Sequence, residues 1–406
     1  MPRIHKRSFF VLIGAFLIAG SISFWLLLEN NVICVSRTGA QPAQHLFADR
    51  SALYDFSLDM RQEVLAALIH QFDPVTGFFD YSINPDGTLS SSNNAIRQLL
   101  GSRILAEESE GDQDVLQLHE QNLKEIFAEW YREDGDIGYV YYDAKSKLGA
   151  NAMLLRTLSV SPIFEDYREE AEKLANGIYA LQREDGSFEP WYREPSYAYD
   201  TDYLLTFYSG EAILALLEYA ERGGDVAAFE AAVQAQDHYL IEYVEQIEEN
   251  YYPAYVPWHT QSLAHLFSKT GDMRYANALF ILNDRLLELQ DRVTYVGRFS
   301  RSDMPEYGSP HAASDAVYTE GLVHAFDVAQ RVGDNARIEA YHDAIVYGIH
   351  NLSRLQFEPK RFSFIEDAEV GERIRGGIQT HACSNWVRID TNAHTVDALT
   401  ALLVRL

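Results

Sequence analysis

The 406-residue sequence predicts an all-α fold: an (α/α)6 toroid of six helical hairpins with short β-hairpin loops, preceded by one N-terminal transmembrane helix. Three observations lead there. After residue 50, a unit recurs six times: an amphipathic helix, a loop rich in glycine and aromatics, then an apolar helix. The apolar helices lack a polar face, as in Ala212-Ile213-Leu214-Ala215-Leu216-Leu217, and a helix apolar on every side must be covered on every side. Finally, residues 9–28 carry no charge over the length of a bilayer span.

Outer helices are expected over 52–72, 114–131, 163–182, 226–248, 273–290 and 335–356. The third shows the type, with charge on one side and Leu174, Ile178 and Leu181 on the other. Gly-Asp pairs punctuate the units at Gly111-Asp112, Gly224-Asp225, Gly271-Asp272 and Gly333-Asp334. Glycine ends one helix in a left-handed turn, and aspartate caps the next. Inner helices begin near Asn93, Leu148, Tyr208, Trp258, Asp315 and Asp390, at intervals of 55, 60, 50, 57 and 75 residues. Asp-Gly beside aromatics, as in EDGDIGYVYYD and EDGSFEPWY, suggests short hairpins in the connecting loops. An open solenoid of the same hairpins is the alternative to a ring. Closure is favoured because polar residues recur at the inner-helix N-termini, which a ring gathers around one cavity.

The domain plan is a basic cytoplasmic stub (1–8), a transmembrane signal anchor (9–28), a tether (29–50) and the toroid (51–406). Arg3, Lys6 and Arg7 before the apolar run and Glu29 after it place the N-terminus in the cytoplasm and the globular domain outside, periplasmic or extracellular. A cleaved signal peptide is the rival; Ala19-Gly20-Ser21 offers a small-residue site, but the apolar run continues past it. The formal charge of -27 repels nucleic acid and anionic membrane surfaces. Cys34 and Cys383 are too few and too far apart for a disulfide framework. No CxxC or HExxH motif is present, so no metal or cofactor is expected.

The candidate site residues cluster at the inner-helix starts. Glu211 is placed in a first turn, where the helix dipole favours a carboxylate; a buried acid needs a partner or a task. Arg97, with Gln98 beside it, either binds an anionic group or forms a salt bridge to a neighbouring inner helix. Asn151 reads as a binding amide or as a satisfied core residue. Tyr208 and Trp258 suit stacking on a sugar, and His259 suits proton transfer or a structural role. Glu320 precedes an apolar run as Glu211 does. Arg388 precedes Asp390 and His394, which are spaced i, i+4 on one face. The segment Arg373–Gly377 reads as a basic lid or an ordinary solvated turn.

Three of these stretches, YSGEAILALLEYAE, PWHTQSLAHLF with KTGDMRYANAL, and RIDTNAHTVDALTALL, resemble the six-hairpin glycosidase-like superfamily. That grouping includes unsaturated glucuronyl hydrolases, sugar 2-epimerases and several polysaccharide lyases. EDGSF also resembles terpenoid-cyclase toroids and the helical domain of glucuronyl C5-epimerases. The resemblance covers nearly the whole chain from residue 52 and is specific for architecture rather than reaction. Asn94 and Asn151 stand where the glucuronyl hydrolases look for acids, only His259 and His394 match the epimerases' paired histidines, and no DxDD motif is present.

The expected function is that of a membrane-anchored carbohydrate-active enzyme, a hydrolase, lyase or uronyl epimerase, working by acid/base chemistry in the toroid cavity. Glu211, Glu320 and Asp390, with His259 or His394, would supply acid and base; Arg97, Gln98, Asn151, Tyr208, Trp258 and Arg388 would bind the sugar. The alternative is a non-catalytic toroid that binds a glycan or protein partner in an envelope polysaccharide assembly.

Overall fold

Aspartates set many of the helix starts. Asp49, Asp112, Asp225, Asp272 and Asp334 each accept a hydrogen bond from a backbone N–H of the turn they open, which satisfies donors that the helix itself cannot. Gly271 and Gly333 close the preceding helices at φ of +67° and +75°, in the left-handed region where a Cβ would be strained. The computed structural model describes residues 46–223, 225–357 and 367–406. The stub, the apolar run at 9–28 and most of the tether lie outside them. Among the described residues, no helix is long and apolar enough to cross a membrane.

Among the described residues, twelve long helices alternate between outer and inner positions. The outer ones are α1 (Arg50–His70), α3 (Gln113–Glu129), α5 (Arg168–Tyr179), α7 (Val226–Leu240), α9 (Met273–Leu287) and α11 (Asn335–Ser353). The inner ones are α2 (Ala95–Glu108), α4 (Leu148–Val160), α6 (Thr201–Gly223), α8 (Val256–Thr270), α10 (Ala312–Val332) and α12 (Ile389–Leu403). Each inner helix packs on the next, and α12 returns to pack on α2, so the circuit closes. That contact excludes the solenoid. The outer helices back the inner ones, with α1 covering α12. On α6, Ala212 to Leu217 are all buried, each Leu or Ile contributing about 1.5–3 kcal/mol.

The loops meet at one mouth of the ring. Strands β1 (Phe72–Asp73) and β2 (Phe78–Phe79) form a hairpin, as do β4 (Tyr131–Asp134) and β5 (Ile137–Val140). Strand β3 (Ser82–Ile83) pairs with β9 (Ser384–Arg388), which pairs with β8 (Gln379–His381). This small sheet ties the first loop to the last. Strands β6 (Ser146–Lys147) and β7 (Trp191–Arg193) tie the second loop to the third.

Several expectations need correction. Helix α6 begins at Thr201, so Glu211 lies about three turns inside it and gains nothing from the dipole. The third outer helix is shorter than expected, because residues 164–167 are 3-10. The loops around Tyr252 and Val293 form no hairpin. Pro253 opens a 3-10 turn instead, and the Asp291 carboxylate takes the N–H groups of Val293, Thr294 and Tyr295 that a ladder would use. The segment Arg373–Gly377, read as a lid or a solvated turn, begins as the end of a short helix (Ala368–Ile374): Arg373 pairs with Asp80 and Arg375 with Glu372, while Ile374, Gly376 and Gly377 are buried. Cys383 is disulfide-bonded, a single bond rather than a framework.

One ion network lies inside the ring. Arg156 on α4 is fully buried and donates to Glu218 on α6 at 2.9 and 3.1 Å, while Arg103 on α2 reaches the same carboxylate at 3.4 Å. Removing one partner of a buried pair strands the other charge. Arg156→Met is therefore expected to cost about 3–5 kcal/mol in denaturant unfolding; a loss below about 1 kcal/mol, the size of an exposed pair, would show that the network is solvated.

Candidate functional site

A cavity of about 500 Å³ opens where the N-terminal parts of the inner helices converge. Its wall is aromatic. Tyr203, Phe207 and Tyr208 come from α6, Tyr252 and Trp258 from α8 and the turn before it, and Tyr307 and Tyr318 from α10 and its approach. The polar side chains reaching it include Arg97, Glu211, His311, Arg388, Asp390 and His394.

Glu211 reaches the cavity because two glycines allow it. A Cβ on Gly149 of α4 would lie 2.4 Å from Glu211 Oε2 and 2.6 Å from Tyr208 Cδ1. A Cβ on Gly210 would lie 2.5 Å from the Trp258 Cβ, so that glycine lets α6 and α8 approach closely. Glu211 Oε2 is buried and has no hydrogen-bond partner. Burial pushes this carboxyl up to about 8, against weaker pulls from Arg156 and Lys147. It therefore holds a proton at neutral pH and points it into a cavity, as a general acid must.

Asp390 is held differently. Burial works against its charge, but the hydrogen bond and charge of Arg388, together with Arg97, keep it well below the usual carboxylate range. Arg388 Nη2 donates at 2.7 Å and Arg97 Nε lies at 2.8 Å. Arg97 also donates to the Tyr81 hydroxyl. The salt-bridge reading of Arg97 is thus the observed one, and it joins α2 to α12. One carboxylate and two guanidiniums leave a single net positive charge here, within a strongly acidic chain.

His394 lines the cavity, and its Nδ1 lies 3.8 Å from Glu320 Oε2, longer than a hydrogen bond. Asp390 and His394 do not pair with each other, despite their spacing. Glu320 is not on this cavity wall. It lines a second cavity, of about 940 Å³, at the opposite end of the inner helices, together with Glu107, Glu218 and Asp397.

His259, Gln98 and Asn151 also lie off the wall. The His259 ring sits between Ser209 Oγ at 3.0 Å and the Gln236 amide at 3.2 Å, and burial pulls its pKa down to about 3. It is a neutral core histidine. Gln98 bonds the backbone of Phe79 in both directions, and Asn151 accepts from Val140 N–H, each pinning a loop to an inner helix. Conversely, sequence reasoning missed His311. It caps α10 by accepting from Ala313 N–H at 3.0 Å through Nδ1, so in the neutral ring Nε2 carries the proton. Burial, reinforced by Arg388, pulls it down to about 4. Its one sequence signal was a polar residue in the slot before the helix, and histidine is not a usual cap.

No protein-family model and no curated protein sequence matches the chain. Solved structures do match in shape. A D-mannose isomerase superposes with a TM-score of 0.63 at 10% identity, covering 87% of this chain and 98% of that one. An unsaturated glucuronyl hydrolase specific for heparin gives 0.57 at 11% identity, covering 86% and 96%. An inactive variant of the α-1,6-mannanase GH76A of Salegentibacter sp. HEL1_6, in complex with α-1,6-mannotetrose, gives 0.58 at 13% identity, covering 85% and 98%. At such identities the likeness establishes the fold: the chain is a six-hairpin toroid.

Two measurements probe the Glu211 pocket. Gly149→Ala is expected to displace the carboxyl and cost about 1–3 kcal/mol of stability; an unchanged denaturation midpoint would mean the cradle is loose. The second is pH-dependent. Glu211 has a folded pKa raised above its ordinary 4.5, so its contribution is full below that value and is lost as pH rises through about 8. Thermal unfolding should show the wild type losing stability relative to Glu211→Gln across that window; parallel curves would place an ordinary carboxyl there.

Proposed function

We propose that this protein is a carbohydrate-active enzyme in which Glu211 is the general acid. The observation that carries the reading is the Glu211 carboxyl, buried, without a hydrogen-bond partner and protonated at neutral pH, at an aromatic-lined cavity. Such an isolated acid is costly to keep and has no structural task that a glutamine could not fill. The sugar-acting neighbours of the same fold agree with it.

His394 is the complementary base. It stands on the sixth inner helix, three positions around the ring from Glu211 on the third. With Nδ1 turned to Glu320, its Nε2 is left for the cavity. A sugar ring stacked against Trp258 or Tyr208 would lie between them. Glu211 gives its proton to a leaving or carbonyl oxygen, and the imidazole takes one from water or from a sugar carbon. Arg97 and Arg388, aligned by Asp390, would hold an anionic group of the substrate. A clamped Asp390 alone would suit a glycan-binding protein equally well; the unpaired Glu211 is what favours catalysis.

The placement outside the cytoplasmic membrane, through an anchor at residues 9–28, is part of the same proposal. It is supported by the uncharged run after Arg3, Lys6 and Arg7, and by a disulfide at Cys383, a bond that oxidising compartments favour.

The test is turnover of neutral and uronic-acid oligosaccharides by the full-length chain, with products read by mass spectrometry. Glu211→Gln and His394→Gln should each lower kcat by about 10²–10⁴-fold on whichever sugar the wild type converts. Unchanged turnover in Glu211→Gln removes that residue from the chemistry. Tight sugar binding without any turnover by the wild type would favour the binding protein.

A further inference from the structure

We propose that Glu320, His394 and Asp397 form a binding site for one divalent transition-metal ion, between the two cavities of the ring. One ligand atom from each residue lies within 4.8 Å of the others. All three residues are buried, at 5%, 9% and 8% exposure. Glu320 Oε2 and His394 Nδ1, which face each other, are both without a hydrogen-bond partner. Buried polar atoms are nearly always satisfied, so two adjacent unsatisfied ones call for a missing occupant. His394 and Asp397 are three residues apart on α12 and project from one face; Glu320 meets them from α10.

Charge points the same way. Glu107, Glu218, Glu320 and Asp397 crowd the inner ends of the lower cavity. The nearest guanidiniums make their direct contacts elsewhere: Arg103 to Glu107 at 2.8 Å and Glu218 at 3.4 Å, Arg156 to Glu218 at 2.9 Å. Arg103 acts on Glu320 and Asp397 only through its charge, and among the described residues neither carboxylate is in direct contact with an arginine or lysine. A dication would balance both carboxylates and use the imidazole nitrogen as a neutral donor. One nitrogen and two carboxylate oxygens fit zinc or manganese better than calcium, which takes six to eight oxygens. Ligands about 2.1 Å from a tetrahedral ion lie about 3.4 Å from one another, so side-chain shifts of about an ångström close the site. Glu320 and Asp397 both line the lower cavity, which gives an ion its way in.

Occupation would have a second effect. A metal on Nδ1 leaves Nε2 as the proton-bearing nitrogen, so His394 could not act as the base while the ion is bound, and the metal would inhibit the proposed chemistry. This consequence rests on the proton-transfer reading; the binding itself does not. Loss of metal binding would leave that reading standing, and loss of turnover would leave the metal site standing.

The experiment is calorimetric titration of the purified, chelator-treated full-length chain with zinc, manganese, cobalt and calcium salts. Zinc is expected to bind at one equivalent and raise the unfolding temperature, calcium to do neither, and cobalt to give the visible absorption of a nitrogen- and oxygen-ligated ion. Asp397→Asn and Glu320→Gln should each weaken zinc binding by at least about tenfold. Should either variant fail to fold, the other and the wild-type cobalt spectrum still decide. Absence of stoichiometric zinc, manganese and cobalt binding by the wild type, or equal zinc binding by both folded variants, overturns the proposal.

Discussion

The six inner helices have no dry face to spare, and everything else follows from that. Each is packed between two inner neighbours and an outer helix. An ionisable group on such a helix has three ways to exist: paired with an opposite charge, stripped of its own charge, or placed on a cavity. Arg156 and Glu218 take the first way, and Asp390 takes it with two arginines. Glu211 takes the second and third together. The residues that the ring cannot neutralise by pairing are the ones that carry the proposed chemistry.

Closure then gives the ring two unlike ends. The N-terminal end of the inner helices is walled by aromatics and rimmed by short strands that tie loops together. The opposite end is crowded with carboxylates and their arginines. His394 stands at the partition, with its ring 5.7 Å from Trp258 on one side and Nδ1 facing Glu320 on the other.

The helices were legible because their causes are local. Apolar runs, Gly-Asp punctuation and amphipathic outer faces each act within a few residues, and together they placed all twelve. The site was legible only in part. Trp258 and His259 are neighbours in sequence, yet a helix turns 100° per residue, so one faces the cavity and the other the core. Glu320 looked equivalent to Glu211 because both precede apolar runs. But α6 lines the cavity from Tyr203 to Glu211, extending further into the mouth, so distance from a helix start is not depth in the ring. Arg97 and Asp390 lie far apart in sequence and meet only because the ring closes. His311 escaped notice because it lies in a loop, outside the repeat that organised the reading.

Infrared difference spectroscopy of wild type against Glu211→Gln measures the central claim most directly, since a protonated buried carboxyl has a carbonyl stretch distinct from that of a carboxylate. At neutral pH the wild type should show that band, the variant should lack it, and it should titrate away near pH 8. A carboxylate signal from Glu211 at neutral pH, titrating in the ordinary acidic range, would contradict the assignment of this residue as the acid.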